Sequence, residues 1–174
     1  EKMKVKIYNK SNNELPKYKT SGAAGMDARA SFSNIDPKDL IKYGPVVYTL
    51  DAETKKIKSI SMQPGSRVLV PLDIHTSIPE GYMITLHIRS GVALKDGLIL
   101  GNAIGIIDFD YRGNYGAILV NPSWNKPVDI SEGDRICQLI LQKVETCEWE
   151  EVDNLEDLDV TNRGIGGFGS TGKQ

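Results

Sequence analysis

Three apolar runs in this chain alternate with a period of two, and that period decides the fold class. Val68, Val70, Leu72 and Ile74 take one side of a run, with Arg67, Leu69, Pro71 and Asp73 on the other. Tyr82, Ile84, Leu86 and Ile88 alternate with Met83, Thr85, His87 and Arg89, and Met3, Val5 and Ile7 with Lys4, Lys6 and Tyr8. Successive side chains of a strand point to opposite faces, so each run builds one inward and one outward face. Residues 136–141 add a more continuous apolar strand. Turn signals separate the runs: Gln63-Pro64-Gly65, Pro79-Glu80-Gly81, Lys95-Asp96-Gly97 and Glu132-Gly133-Asp134. Many short strands with Gly and Pro between them specify an all-β sandwich or barrel. One short helix is expected at Ser90 to Lys95, with Ser90 as N-cap and Gly97 as stop. Residues 36–60 read as an inserted hairpin or excursion on the surface, replaceable over 38–58 by a short linker.

A chain of 174 residues fits one domain with a core of its own. A formal net charge of -2 leaves no overall basic footprint for nucleic acid, so no direct nucleic-acid partner is expected. A polyanionic substrate would need local arginine clusters. The two cysteines, Cys137 and Cys147, form no CxxC and read as reduced thiols. His75 and His87 are too few for a histidine-rich metal site, and read as outward strand residues. Trp124 and Trp149 read as packing residues. No apolar run reaches the ~18 residues of a membrane span, and Glu1-Lys2-Met3 lacks a signal-peptide core. These features point to a soluble, cytoplasmic protein.

The last segment differs in kind. Arg163 to Lys173 reads RGIGGFGSTGK, five of its eleven residues glycine. Such a segment cannot pack a core and loses much backbone entropy on ordering, so a mobile tail is expected over residues 163–174. The acidic stretch Asp153 to Asp159 before it reads as a solvated face or linker.

Four further segments carry chemistry-bearing residues. Arg89-Ser90-Gly91 sits where a strand turns into a helix start, where backbone N–H groups, a hydroxyl and a guanidinium can cradle a phosphate. A capped helix with an arginine in a surface ion pair is the alternative. Asp108 follows the largely apolar Ile104 to Ile107, and a carboxylate there can be a general base for water. A turn aspartate is the alternative, and Asp110 competes for the role. Asp108 is preferred because it ends the apolar strand directly. The other two segments are Ala24 to Ala30 and Gly133 to Leu139. Phe168 is a lone aromatic in the glycine tail, which suggests docking on something flat.

In this order the five segments resemble the five motifs of the trimeric dUTPase family, over nearly the whole chain. GIIDFDYRG, residues 105–113, and RGIGGFGSTG, residues 163–172, are the most specific. Departures fall at packing positions: Ala28 and Val92 where leucine is usual, Ile88 for proline and Cys137 for alanine. The segment 36–60 is longer than in a typical member.

The resemblance implies a jelly-roll-like β-barrel over residues 1–162, assembled as a homotrimer with sites between subunits, and a lid formed by residues 163–174. It implies hydrolysis of dUTP to dUMP and pyrophosphate with magnesium, which keeps uracil out of DNA and supplies dUMP. It also implies roles. Asn102 holds uracil together with backbone of Gly105, Ile106 and Ile107. Tyr111 lies under the deoxyribose and excludes a 2′-hydroxyl. Asp108 activates the attacking water. Arg89, Ser90 and Gly91 bind the α- and β-phosphates with help from Gln138. Phe168 stacks on uracil, and Arg163, Gly169, Ser170 and Thr171 reach the γ-phosphate. Asp27 supports the metal's water shell or an arginine, and Arg135 the subunit interface.

Two rival readings remain at this point. A dCTP deaminase of similar fold needs a glutamate about ten residues after the third-motif aspartate, where this chain has Ile118. A non-catalytic protein-binding module would not need Asp108 or the tail.

Overall fold

The alternating runs form strands, and their turns close where glycine permits it. The structure, a computed structural model, describes residues 3–167. Its strands are β1 (Lys6–Asn9), β2 (Lys17–Tyr18), β3 (Met26–Arg29), β4 (Val46–Leu50), β5 (Ile57–Met62), β6 (Arg67–Pro71), β7 (Ile74–Ser77), β8 (Tyr82–Ile88), β9 (Ile99–Leu100), β10 (Gly105–Ile107), β11 (Gly116–Val120), β12 (Val128–Ser131) and β13 (Arg135–Lys143). Gly65, Gly81, Gly97 and Gly133, the four glycines of the expected turns, all take φ between 74° and 83°, which a side chain would disfavour.

Every pairing is antiparallel. A five-stranded sheet runs β10-β8-β13-β3-β2, two three-stranded sheets run β6-β11-β9 and β12-β5-β4, and β1 pairs with β7. The arrangement is mostly β and jelly-roll-like, and the described strands do not close into one barrel. Val68, Val70, Leu72, Ile74, Ile84 and Leu86 all face inward, as their alternation requires, and meet Leu119, Ile136 and Leu139 in one core.

The strand pattern breaks at one residue. The run from Arg67 to Ile74 is two strands rather than one, because Asp73 takes φ 52° and turns the chain from the partner of β6 to the partner of β7. Asp73, expected on the outward face, is buried. Its carboxylate accepts from Ser31 Oγ at 2.8 Å, Asn34 Nδ2 at 2.9 Å and Asn114 Nδ2 at 2.9 Å, which makes its burial tolerable.

Residues 36–60 contain a hairpin, but not one set out on the surface. Asp36 caps a four-residue helix, α1 (Pro37–Leu40), accepting from the Lys38 N–H at 2.9 Å. Beyond it, β5 lies between β4 and β12, and Leu40, Ile57, Ile60 and Met62 are all buried. The segment is part of the core, so the expected tolerance to replacement is withdrawn.

Helix is more divided and differently placed than expected. Ser90 and Gly91 are already helical and lead into a π-helical turn, Val92–Asp96, which Gly97 ends in the left-handed conformation. Ser90 is therefore not the N-cap. With α1 and a 3-10 turn at Leu155–Asp157, the described chain holds three short helical pieces, not one. Trp124 and Trp149 are 87% and 90% exposed, so neither is a packing residue. Trp124 stands at the tip of a loop tied down by Asn121, whose amide donates to the Met62 and Lys126 carbonyls at 2.9 Å each.

The chain forms two compact units, divided after Val144. In the second, Asn154 and Asp157 form a capping box around the 3-10 turn, and Arg163 Nε donates to the Gly166 carbonyl at 2.6 Å. Phe168, Gly169, Ser170 and Thr171 lie outside the described residues. Among the described residues no helix is long and apolar enough to cross a membrane.

Candidate active site

One end of the five-stranded sheet collects the polar residues of three motifs. β8 delivers Arg89 just past its last residue, β13 delivers Arg135 and Gln138, and β3 delivers Asp27 and Arg29. Pairing sets Gln138 opposite both Asp27 and His87, and Arg135 opposite Arg29. Asp27 becomes the hub. Its Oδ1 accepts from Arg89 Nε at 3.0 Å and from Gln138 Nε2 at 3.4 Å, and its Oδ2 from Arg135 Nη1 at 3.0 Å. Arg89 Nη1 also donates to the Arg135 carbonyl at 3.1 Å. Partial burial pushes the Asp27 carboxyl up, but the Gln138 amide and the Arg89 and Arg135 guanidinium groups outweigh it and hold the carboxyl below its ordinary range.

One carboxylate shared by two guanidinium groups leaves net positive charge. Arg29 and Lys95 line the same cleft with Arg89, Gly91 and Arg135, and Asp96, Asp129 and Asp134 line it too, so the positive charge is local to the arginine group and not a property of the whole cleft. Ser90 lies exposed beside it, and its hydroxyl has no hydrogen-bond partner among the described residues. A fixed guanidinium, a free hydroxyl and the start of a helical turn make a receptor for an anion such as phosphate. Arg135 thus joins the arginine group within the chain. The family resemblance points its side chain toward a subunit interface, and nothing in the sequence reports that β3 and β13 are neighbours.

The second group sits on the β9–β10 hairpin. Its loop is tight: Ala103 takes φ 60°, and the Ile104 N–H reaches the Asn102 carbonyl at 2.6 Å. Gly105 presses close to Leu86, where an added Cβ would lie 3.0 Å from the Leu86 Cβ and 3.8 Å from Asn102 Nδ2. Asn102 and Ile106 are exposed, while the Ile107 side chain enters the core and leaves only its backbone to the hairpin surface. Asp108 follows β10 directly and is exposed. The Tyr111 N–H donates to the Asp108 carbonyl at 3.2 Å, and the Tyr111 hydroxyl to the Asn114 carbonyl at 3.1 Å. The Tyr111 ring lies over Gly113, where a Cβ would meet the phenol oxygen at 2.2 Å. Arg112 braces the same turn through the Phe109 carbonyl at 2.6 Å, and His75 Nδ1 lies 2.9 Å from the Arg112 carbonyl. One turn therefore holds the Asp108 backbone beside the residue that carries the aromatic ring.

Among the described residues no hydrogen bond or ion pair joins Asp108 or Tyr111 to the Asp27–Arg89–Arg135 group. A profile for dUTPase matches residues 53–172. The deoxyuridine 5'-triphosphate nucleotidohydrolase of Finegoldia magna is 47% identical over 170 residues, covering 98% of this chain and 99% of that protein. The chain belongs to the dUTPase family. The enzyme of the same name from Fusobacterium nucleatum is 40% identical, with 99% of each chain covered. The fold agrees with that of a Staphylococcus bacteriophage 80alpha dUTPase mutant bound to dUpNHpp, with a TM-score of 0.73 at 23% identity over 97% of this chain and 98% of that one. The dUTPase of phage phi11 of S. aureus, described with a structural Mg(II) ion, gives a TM-score of 0.66 at 21% identity, with 88% of this chain covered and 99% of that one. Within the dUTPase frame, four of the five motif segments are fully described here, and the fifth from Arg163 to Gly167. Among the described residues no three His, Cys, Asp or Glu side chains are grouped to hold a metal ion.

Proposed function

We propose that the chain hydrolyses dUTP to dUMP and pyrophosphate, keeping uracil out of DNA and supplying dUMP. The observation that carries this reading is the turn that fixes Asp108 directly after β10 and seats Tyr111 over Gly113. The base lies along the hairpin against Asn102, Gly105, Ile106 and the Ile107 backbone. The Tyr111 ring lies under the sugar and leaves no room for a 2′-hydroxyl. Asp108 takes the proton of a water aligned with the α-phosphorus, and pyrophosphate leaves in line. Arg89, Ser90 and Gly91 hold the α- and β-phosphates, with Gln138 beside them. Arg163, Gly169, Ser170 and Thr171 serve the γ-phosphate and Phe168 the base, closing over the site as a lid.

Asp27 acts through its arginines, since both of its oxygens are taken by guanidinium groups. A magnesium ion would be held mainly by substrate oxygens and water, with Asp27 at most at the edge of its water shell. Such an ion supplies neutralisation of the charge that develops on the phosphates.

Ile107 pairs with Ile84 while Arg89 follows Ile88, so Asp108 and Arg89 lie toward opposite ends of β8, which supports sites shared between subunits of a homotrimer. Exposed Leu69, Ile99, Ile104 and Ile106 offer apolar surface for the assembly. Two free cysteines, one buried and one exposed, fit the reducing cytoplasm. Neither rival reading gains an observation: Ile118 lies in β11 with no carboxylate in its place. Turnover with dUTP and dCTP, scoring pyrophosphate and ammonia, tests the proposal. Pyrophosphate from dUTP alone is expected; ammonia from dCTP, or no turnover, rejects it.

A further inference from the structure

A ring that excludes a 2′-hydroxyl must stay in place, and little in the turn itself holds Tyr111. Its side chain is exposed, so packing secures only part of it. The ring rests over Gly113, and its hydroxyl makes one hydrogen bond among the described residues, to the Asn114 carbonyl at 3.1 Å. That carbonyl is not loose. The Asn114–Tyr115 peptide is trans and planar, so its N–H points away from its C=O, and the Tyr115 N–H donates to the Ile74 carbonyl at 3.0 Å. The Asn114 side-chain amide donates to Asp73 Oδ1 at 2.9 Å. Tyr115 is itself buried, with its hydroxyl against Thr76 Oγ1 and its carbonyl accepting from the Leu72 N–H at 2.8 Å. Asn114 is therefore held through side chain and backbone by the bend that Asp73 makes at φ 52° between β6 and β7.

Asp73 suits this task because it cannot move. It is buried, and its other oxygen is taken by Ser31 and Asn34. Asn114 is exposed, so its side chain adds little to the core, and its bond runs from the surface inward to a fixed acceptor. We propose that Asn114, seated on the Asp73 carboxylate, is a specificity-positioning residue: it fixes the carbonyl that holds the Tyr111 hydroxyl, and so keeps the ring where a ribonucleotide would collide with it. This rests on the reading of Tyr111 as the residue under the sugar. A ring freed to shift costs dUTP little, since its 2′ position carries only hydrogen. It gives UTP the room it lacks.

The test is the ratio of kcat/KM for UTP to that for dUTP, with melting temperature recorded for each variant. A fold weakened overall would shift melting without moving a ratio between two substrates. Asn114→Ala removes the anchor and leaves the carbonyl, and is expected to raise the ratio about three- to tenfold, the scale of one hydrogen bond, with kcat for dUTP nearly unchanged. Tyr111→Phe keeps the ring, cuts the same link at its other end and should raise the ratio by a similar factor. The double variant should go no further than either alone, because both changes break one connection. A rise in only one single variant, or effects that multiply in the double, overturns the positioning role. Tyr111→Ala separates the two readings. If it raises the ratio while Asn114→Ala and Tyr111→Phe leave it unchanged, the positioning role is overturned and the sugar reading stands. If Tyr111→Ala also leaves the ratio unchanged, the sugar reading falls and the positioning role falls with it.

Discussion

Asp108 and Asp110 stand two positions apart on one turn, and only Asp108 continues from β10. Asp108→Asn keeps the shape of the turn and removes the proton acceptor. Turnover is expected to fall by roughly 10²–10⁴-fold with dUTP binding retained; a steady-state assay with Asp110→Asn alongside decides the assignment. Gly113 gives a less obvious handle. A methyl group there would occupy the place of the Tyr111 phenol, so Gly113→Ala must swing the ring aside. It is expected to act like Tyr111→Ala, raising hydrolysis of UTP relative to dUTP, and equal selectivity in wild type and both variants would remove Tyr111 from sugar discrimination. Asp27 sets a pH limit. Its carboxyl is held below the ordinary value of 3.8, so the stability it contributes is present above that pH and is lost as pH falls through the lowered value. In acid melts Asp27→Asn is expected to flatten this part of the stability curve, and at neutral pH to lower kcat/KM by loosening Arg89. An unchanged acid limb would show that the ion pairs carry no net stability.

At the scale of elements, β8 and β13 were readable because their apolar residues hold period two without interruption. A hairpin within residues 36–60 was also readable, but its burial was not. Its buried residues fall at Ile57, Ile60 and Met62, and its register shifts between Thr49 and Leu50. A bulge moves side chains to the other face and erases the period. The turn at Asp73 was hidden for a related reason: a left-handed aspartate looks like any polar residue of an alternating strand. The loop geometry around Asn102 and the turn from Asp108 to Gly113 were legible as motifs, while the convergence of Arg135 on Asp27 depended on strand neighbours 108 residues apart in sequence. The core position of the hairpin makes a prediction. Ile57→Ala should cost about 2–4 kcal/mol in urea unfolding, and replacing residues 38–58 by a Gly/Ser linker should abolish cooperative folding. A mild effect in both would return the segment to the surface.

For the whole molecule, the division of labour between the hairpin turn and the arginine group matters most. If each site draws Asp108 from one subunit and Arg89 from another, damage to the two groups can be placed on different chains and partly undone. Asp108→Asn and Arg89→Ala should each be nearly inactive alone. Unfolded together in equal amounts and reassembled, they should regain about a quarter of wild-type activity, since half of the positions on each side of a site then carry the intact residue. Mixing without reassembly should restore nothing. Two inactive preparations that yield one active enzyme would make the site a property of the assembly, heritable by neither chain alone.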